Sequence, residues 1–487
     1  MRLSVILLAM VSLAAGAAQV EVEFESHPEW VRLRQEAIRI GRTKMLEVDG
    51  WEPVMSAAAR SDVIWQWDSC FMALYAGYTE DGLHGLGNLD NLYRLQSPNG
   101  YMGMAYEYKT RRHKWGERIN PPLFAWVEYL YARRTGDKSR LERAYDHCSR
   151  LFKWIKYCRR RANGLYWFED PGSSGMDNSP RGGYPARDLA GSDICHVDLA
   201  CQQALSARYL AKIGEVLGKS AEEIAQWKRE AAQIDDLVNR HHWCDKSQFY
   251  HDVFNNRGNN RPYNWLGHKT AAAFWAIVSG VADDAKVKAL VEHLENPATF
   301  GTECPVPALS RDDLNYQSNG AYWNGGVWPP IEYMVCAGLR DRGYRALAAS
   351  IAKKHLAQQT AVLDDPKFGS IYEVYGPETN EPCRREDGNR GYVKKNFVGW
   401  GAVGPFLLLM EDALGLDINA FERRIDWYPT EKGHQGVSGL VFNGGTVAVS
   451  CSIDDSGDAV DAKTDGTVPF TLVIHSPSGK VVRLEQP

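Results

Sequence analysis

NPPLFAWVEYLYARRTGDKSRLERAYDHCSRLFKWIKYCRR, residues 120–160, reads as two helical stretches separated by a short break. Asn120-Pro121-Pro122 looks like a helix start, because proline fits the first turn, where its missing N–H loses no partner. That helix runs to about Arg134, breaks at Gly136-Asp137 and is followed by a second from Lys138 to Arg160. The same rhythm recurs on both sides. Apolar periodicity predicts helices over 28–47, 67–78 and 82–95, then over 195–217 and from Ser220, where Glu223 three residues on completes a capping box. Others are read over 268–279, 283–295, 329–342, 344–359 and 398–414. Twelve helices in six hairpins are what an (α/α)6 barrel requires, six less polar inner helices ringed by six outer ones.

From about Arg423 the pattern changes. Gly439-Leu440-Val441-Phe442, Thr446-Val447-Ala448-Val449 and Phe470-Thr471-Leu472-Val473-Ile474 are short β-type runs between Gly, Asp and Ser turns. The chain therefore reads as mainly α, with a barrel over 19–422 and a small β-rich appendage over 423–487, to which a packing role is assigned. Residues 1–18 have the make-up of a signal peptide: Arg2, an apolar run from Leu3 to Ala14, and small residues at Ala15-Gly16-Ala17. Export to the periplasm or the extracellular space is the expectation. The apolar run is too short for a permanent span, and no later segment offers the roughly 18 apolar residues that one needs.

The totals exclude other classes. With 56 basic and 61 acidic side chains spread along 487 residues, there is no basic stripe for a nucleic acid. None of the ten cysteines forms a Cys-x-x-Cys pair with metal spacing, so no metal is assigned. Sixteen tryptophans are many for this length, and their flat faces suit sugar rings as well as cores.

The long irregular segments, 96–119, 161–193, 244–267, 296–328 and 360–397, are rich in Trp, Tyr, Gly and Asn and read as walls of a site. Asp177 lies in one of them, within Gly175-Met176-Asp177-Asn178-Ser179-Pro180-Arg181, and Glu373 in another, within Ile371-Tyr372-Glu373-Val374-Tyr375-Gly376-Pro377. Cleaving an acetal needs an acid beside the departing oxygen, and Tyr166-Trp167-Phe168 offers apolar surroundings to raise the pKa of Asp177. Glu373, ionised, activates a water on the opposite face of the sugar. Asp68, in Trp65-Gln66-Trp67-Asp68-Ser69, reads either as a helix cap or as an acceptor for sugar hydroxyls. In Tyr322-Trp323-Asn324-Gly325-Gly326-Val327-Trp328 the glycines allow close approach of backbone and ligand.

These stretches, in this order and ending in Phe397-x-x-Trp400, resemble glycoside hydrolase family 63 and its mannosylglycerate hydrolase-like relatives over about residues 60 to 415. Met176-Asp177-Asn178-Ser179-Pro180-Arg181 is the most diagnostic piece. The resemblance implies an (α/α)6 barrel and an inverting, exo-acting attack on an α-glycosidic bond. It makes Asp177 the general acid and Glu373 the general base, with Asp68 binding substrate and Trp323, Trp328 and Trp400 as aromatic walls. The full candidate set for binding the carbohydrate is Trp65, Trp67, Asp68, Gln96, Trp167, Arg181, Trp323, Asn324, Trp328, Tyr375 and Trp400. No cofactor is required by such a reaction.

Departures from the family pattern bear on substrate. Asn324 and Gly326 stand where relatives commonly carry Arg and Pro, and Gly182-Gly183 where they often carry an aromatic. The 381–395 loop mixes Arg384, Arg385, Arg390, Lys394 and Lys395 with Glu381, Glu386 and Asp387. An α-glucosidase is the leading expectation. A mannosylglycerate hydrolase-type or trehalase-type enzyme is the alternative, and a polysaccharide lyase or a non-catalytic sugar-binding protein stands for the other classes.

Overall fold

The computed structural model describes residues 19–57, 62–79, 83–182, 194–255, 265–385 and 391–487; the expected signal peptide, Gly183 and Glu386 to Arg390 lie outside them. Helices α1 (Pro28–Arg42), α2 (Gln66–Leu74), α3 (Leu86–Leu95), α4 (Phe124–Thr135), α5 (Ser139–Cys158), α6 (Val197–Val216) and α7 (Ala221–His241) form the first part of the barrel. A 3-10 turn, Ala271–Phe274, runs into the short α8 (Trp275–Val278), followed by α9 (Asp284–Glu295), α10 (Pro329–Asp341) and α11 (Arg345–Asp364). The last helix, Gly404–Ala413, is wound as a π-helix. Every expected helix is present, several of them shorter than expected.

Inner and outer helices are told apart by how much of their circumference is buried. Every residue of α2 is buried, and nine of the ten residues of the π-helix. In α7 only Trp227, Ala231, Ile234 and Val238 are buried, a single stripe at helical spacing. Inner helices α2, α4, α6, α8 and α10 and the π-helix alternate along the chain with outer ones, as a double ring of hairpins demands. Ser220 caps α7 by accepting from the Glu223 N–H at 3.2 Å. Pro121 and Pro122 do not enter α4; they form its approach turn, in which the Leu123 N–H donates to the Pro121 carbonyl. Gly136 ends α4 at φ +84, a left-handed position that suits glycine.

Two four-stranded sheets complete the molecule. One runs Glu21–Phe24, Gly433–Phe442, Gly445–Ile453, Ala459–Gly466 in spatial order, and the other Leu416–Asn419, Arg424–Trp427, Phe470–His475, Val481–Gln486. The sheets thus draw in two strands that precede residue 423, one of them from the N-terminal side, where Val22 stands opposite Val437. The Asn443 N–H donates to the Thr135 carbonyl at 2.7 Å, tying the β layer to the end of α4. All ten cysteines are free thiols; nine are buried and Cys158 is half-buried. Among the described residues no helix is long and apolar enough to cross a membrane.

Candidate active site

At the end of the barrel where α2 and α10 begin, a cavity of about 400 Å³ is lined by Asp68, Asp177 and Glu373 together with Trp65, Trp67, Trp115, Tyr322 and Trp400. Asp68 enters it from the first turn of α2. Its carboxyl is buried, its Oδ1 has no hydrogen-bond partner among the described residues, and its pKa is pushed up to about 8. Burial is the main cause, opposed by a backbone hydrogen bond; the charges of Glu373 and Asp177 add to the rise, and Lys394 opposes it. Glu373 is also raised by burial, against the Tyr322 hydroxyl that donates to its Oε1 at 3.0 Å and the nearby Lys394. Its backbone is fixed on both sides: the N–H donates to the Lys394 carbonyl, and the Trp400 indole donates to the Glu373 carbonyl at 3.0 Å. Asp177, by contrast, is exposed to the cavity.

Two turns hold these groups. Gly175 has φ +79 and lies flat against Trp67; a Cβ there would fall inside the indole ring. Ala321 and Tyr322 take left-handed backbone angles of +36 and +67, a strained conformation for residues with side chains. Asn178 supports both turns at once. Its Nδ2 donates to the Ala321 carbonyl at 2.9 Å, and its Oδ1 accepts from the Trp323 N–H at 2.8 Å. The residue after the exposed Asp177 thereby fixes the turn that presents Tyr322 to Glu373.

Of the sequence-derived set, Trp65, Trp67, Asp68, Asp177, Glu373 and Trp400 line the cavity; Gln96, Trp167, Arg181, Trp323, Asn324, Trp328 and Tyr375 do not. Arg181 is buried between Asp198 and Asp252, at 2.6 and 2.7 Å, and serves the scaffold. Gln96 donates to the carbonyls of Gly100 and His147. Trp167 lies between the guanidinium groups of Arg159 and Arg161, at 5.0 and 4.3 Å from its ring. Tyr166 and Phe168 are buried elsewhere, so this trio does not surround Asp177 as expected. Trp323 and Trp328 are stacked at 3.8 Å as a second layer, Trp323 behind Trp67 and Trp328 edge-on to Trp400. The Tyr375 hydroxyl is occupied inside the protein by Gln359 and the Tyr372 N–H. Asn324 uses its backbone carbonyl to accept from the Gln317 N–H.

Trp115, Arg118, Asn120, Tyr322 and Lys394 line the cavity without having been singled out for it. Trp115 stacks on Trp65 at 4.8 Å and sits in the aromatic 96–119 loop, which was signal enough. Arg118 is paired with Asp170 at 2.5 Å. Lys394 belongs to the charged loop, in which Arg384 and Arg385 behave differently: Arg384 lies over the Tyr392 ring and Arg385 donates to the Tyr392 carbonyl.

A double ring of helices whose mouth holds carboxylates between tryptophan walls defines a hydrolase acting on carbohydrate. Residues 62–392 match the mannosylglycerate hydrolase MGH1-like glycoside hydrolase domain, and the chain belongs to that family. A mannosylglycerate hydrolase of Thermus thermophilus is 23% identical over 374 residues, which cover 63% of this chain and 88% of the relative. The crystal structure of a family 63 mannosylglycerate hydrolase from Thermus thermophilus in complex with Tris and D-glycerate superposes with a TM-score of 0.62 at 20% identity, over 77% of this chain and 99% of that one. A family 78 rhamnosidase from a Bacillus species superposes at 0.67 with 14% identity, over 91% of this chain and 41% of its own. The protein is thus a glycoside hydrolase with the barrel fold of family 63.

Proposed function

We propose that the protein is an exo-acting, inverting α-glycosidase that hydrolyses a short α-linked oligosaccharide or glycoside, with Asp177 as general acid and Glu373 as general base. The observation that carries this reading is the cavity that both carboxylates line, between Trp65, Trp67 and Trp400. Glu373 is oriented by Tyr322 and raised above the usual carboxylate range by burial, which strengthens it as a base toward water. Asp177, on the exposed side, is placed to meet the leaving group, and a substrate that covers it removes water and favours its protonated form. Asp68, at about 8, carries a proton at neutral pH and donates it in a hydrogen bond to a sugar hydroxyl while its other oxygen accepts. An α-glucoside is the leading substrate.

The second reading is a glycoside with an acidic aglycone, as the name mannosylglycerate hydrolase states for the relatives. Lys394 and Arg118, the latter paired with Asp170, place positive charge on the cavity wall, which favours it. Glucose or mannose release from a panel of α-glucosides, α-mannosides, trehalose and mannosylglycerate distinguishes these substrates, and the anomer first formed, followed by NMR, reports inversion. Asp177→Asn and Glu373→Gln are each expected to lower kcat by at least about 10²-fold; undiminished turnover in both would sink the assignment. Export is part of the same proposal and rests on residues 1–18. A secreted product whose N-terminus lies near residue 19 supports it, and retention of Met1 on active protein overturns it.

A further inference from the structure

The inner helices all begin at the catalytic mouth, so their C-terminal ends meet at the opposite end of the barrel. There α4, α6, α10 and the π-helix surround a second cavity, of about 450 Å³, slightly larger than the catalytic one. Helix C-termini carry partial negative charge and attract cations. Four arginines on this wall are accounted for by that and by acids: Arg133 pairs with Asp417 at 2.8 Å, Arg134 with Glu411 at 2.7 Å, Arg340 with Asp412 at 2.5 Å and Arg345 with Asp417 at 3.0 Å. Arg134 also donates to the carbonyls of Leu74 and Ala76, at and just beyond the last turn of α2.

Lys212 and Asp341 are different. Both line the cavity, and among the described residues neither forms an ion pair. The Lys212 ammonium stands 4.4 Å from the Tyr209 ring and 5.6 Å from the Tyr129 ring. Burial lowers the pKa of Lys212 and raises that of Asp341, against the attraction of Asp341 for Arg340 and of the two ions for each other. A ligand that replaces lost water must therefore donate to a carboxylate and accept from an ammonium of the same cavity wall. With the four arginines held by Asp417, Glu411 and Asp412, Asp341 opposes an anion between the remaining two groups and Lys212 a cation. A neutral polyhydroxylated ring satisfies both, and its C–H face suits the tyrosine rings beside it.

We propose that this far mouth of the barrel is a second carbohydrate-binding site, taking a neutral mono- or disaccharide between Lys212 and Asp341. The volume lies within the range of small-molecule sites. Isothermal titration of the Glu373→Gln protein with methyl α-glucoside, methyl α-mannoside and trehalose tests it without turnover. A binding component is expected that Asp341→Asn and Lys212→Met each weaken about tenfold or more, which is about 1.4 kcal/mol. Leu130→Trp, which fills the cavity from its rim and leaves both ions in place, is expected to abolish the same component, and Trp65→Ala at the catalytic mouth to leave it intact. Sugar affinity unchanged by all three far-mouth substitutions would overturn the proposal. So would inorganic sulfate binding there in place of the sugars. Because the readout is binding, its failure leaves the hydrolase reading standing, and the reverse also holds.

Discussion

Asp68 titrates at about 8 instead of 3.8 chiefly because burial strips water from its carboxyl, with the charges of Glu373 and Asp177 adding to the cost. The folded protein therefore binds this proton more tightly than the unfolded chain does. Stability is full below the unfolded value and is lost as pH rises through about 8, a loss of at most ~6 kcal/mol. Glu373, also raised by burial, acts in the same sense. Thermal unfolding between about pH 5 and about pH 8.5 is expected to show a steep loss in the wild type and a shallower one in Asp68→Asn; equal slopes would contradict the buried proton. Gly175 allows a second test at this scale. Alanine there must push the Trp67 ring aside, and misplacing a site wall costs about 10²-fold in kcat/KM. Steady-state kinetics with Gly175→Ala checks this, and wild-type kinetics would show that the turn can yield. Asp177 and Glu373 were legible as residues of the cavity because both sit in the motifs that carry the family resemblance. Tyr322 was not singled out from its motif, since its reach to Glu373 depends on a left-handed backbone angle that no residue pattern announces.

The turns on either side of the cavity behave as one element because Asn178 joins them across 143 positions of sequence. The two hydrogen bonds from Asn178, each worth about 1 kcal/mol, join those of the Tyr322 N–H to the Arg384 carbonyl and the Gly326 N–H to the Tyr322 carbonyl in offsetting a conformation that costs about 1–3 kcal/mol per residue. Asn178→Ala is expected to destabilise the fold by about 2 kcal/mol and to lower kcat as Tyr322 loses its hold on Glu373. Paired denaturation and kinetic measurements test this; lost stability with kcat intact would separate the clamp from the chemistry. Helix ends were less legible than helix existence. The sequence reading starts the last inner helix at Val398, whereas the chain is still turning there and the π-helix begins only at Gly404. Gly404 has no room for a side chain beside Gln359, a close approach visible only once α11 is in place. Arg181 was misread for a similar reason: it stands next to the Asp177 turn, but its partners Asp198 and Asp252 come from 17 and 71 positions away.

At the scale of the molecule, this buried trio and the N-terminal strand each tie separate parts of the chain together. Arg181→Ala leaves two carboxylates buried without their cation and is expected to cost about 3–5 kcal/mol, measured by chemical denaturation. Removing residues 19–25 strips the strand partner of Gly433–Phe442 along with buried Val22 and Phe24, for an expected loss of roughly 3 kcal/mol or more. An unchanged midpoint in that truncation would mean that the strand is dispensable. The free cysteines carry a different consequence. Nine of ten thiols are kept apart by packing alone, and burial pushes Cys148 and Cys201 well above their usual range, so in the native protein these nine are sheltered from oxidants and half-buried Cys158 is the exception. Unfolding removes that shelter from all of them together. Refolding in air then becomes a race between collapse and random cross-linking, and the yield recovered from denaturant will follow the reductant supplied during the first moments of dilution.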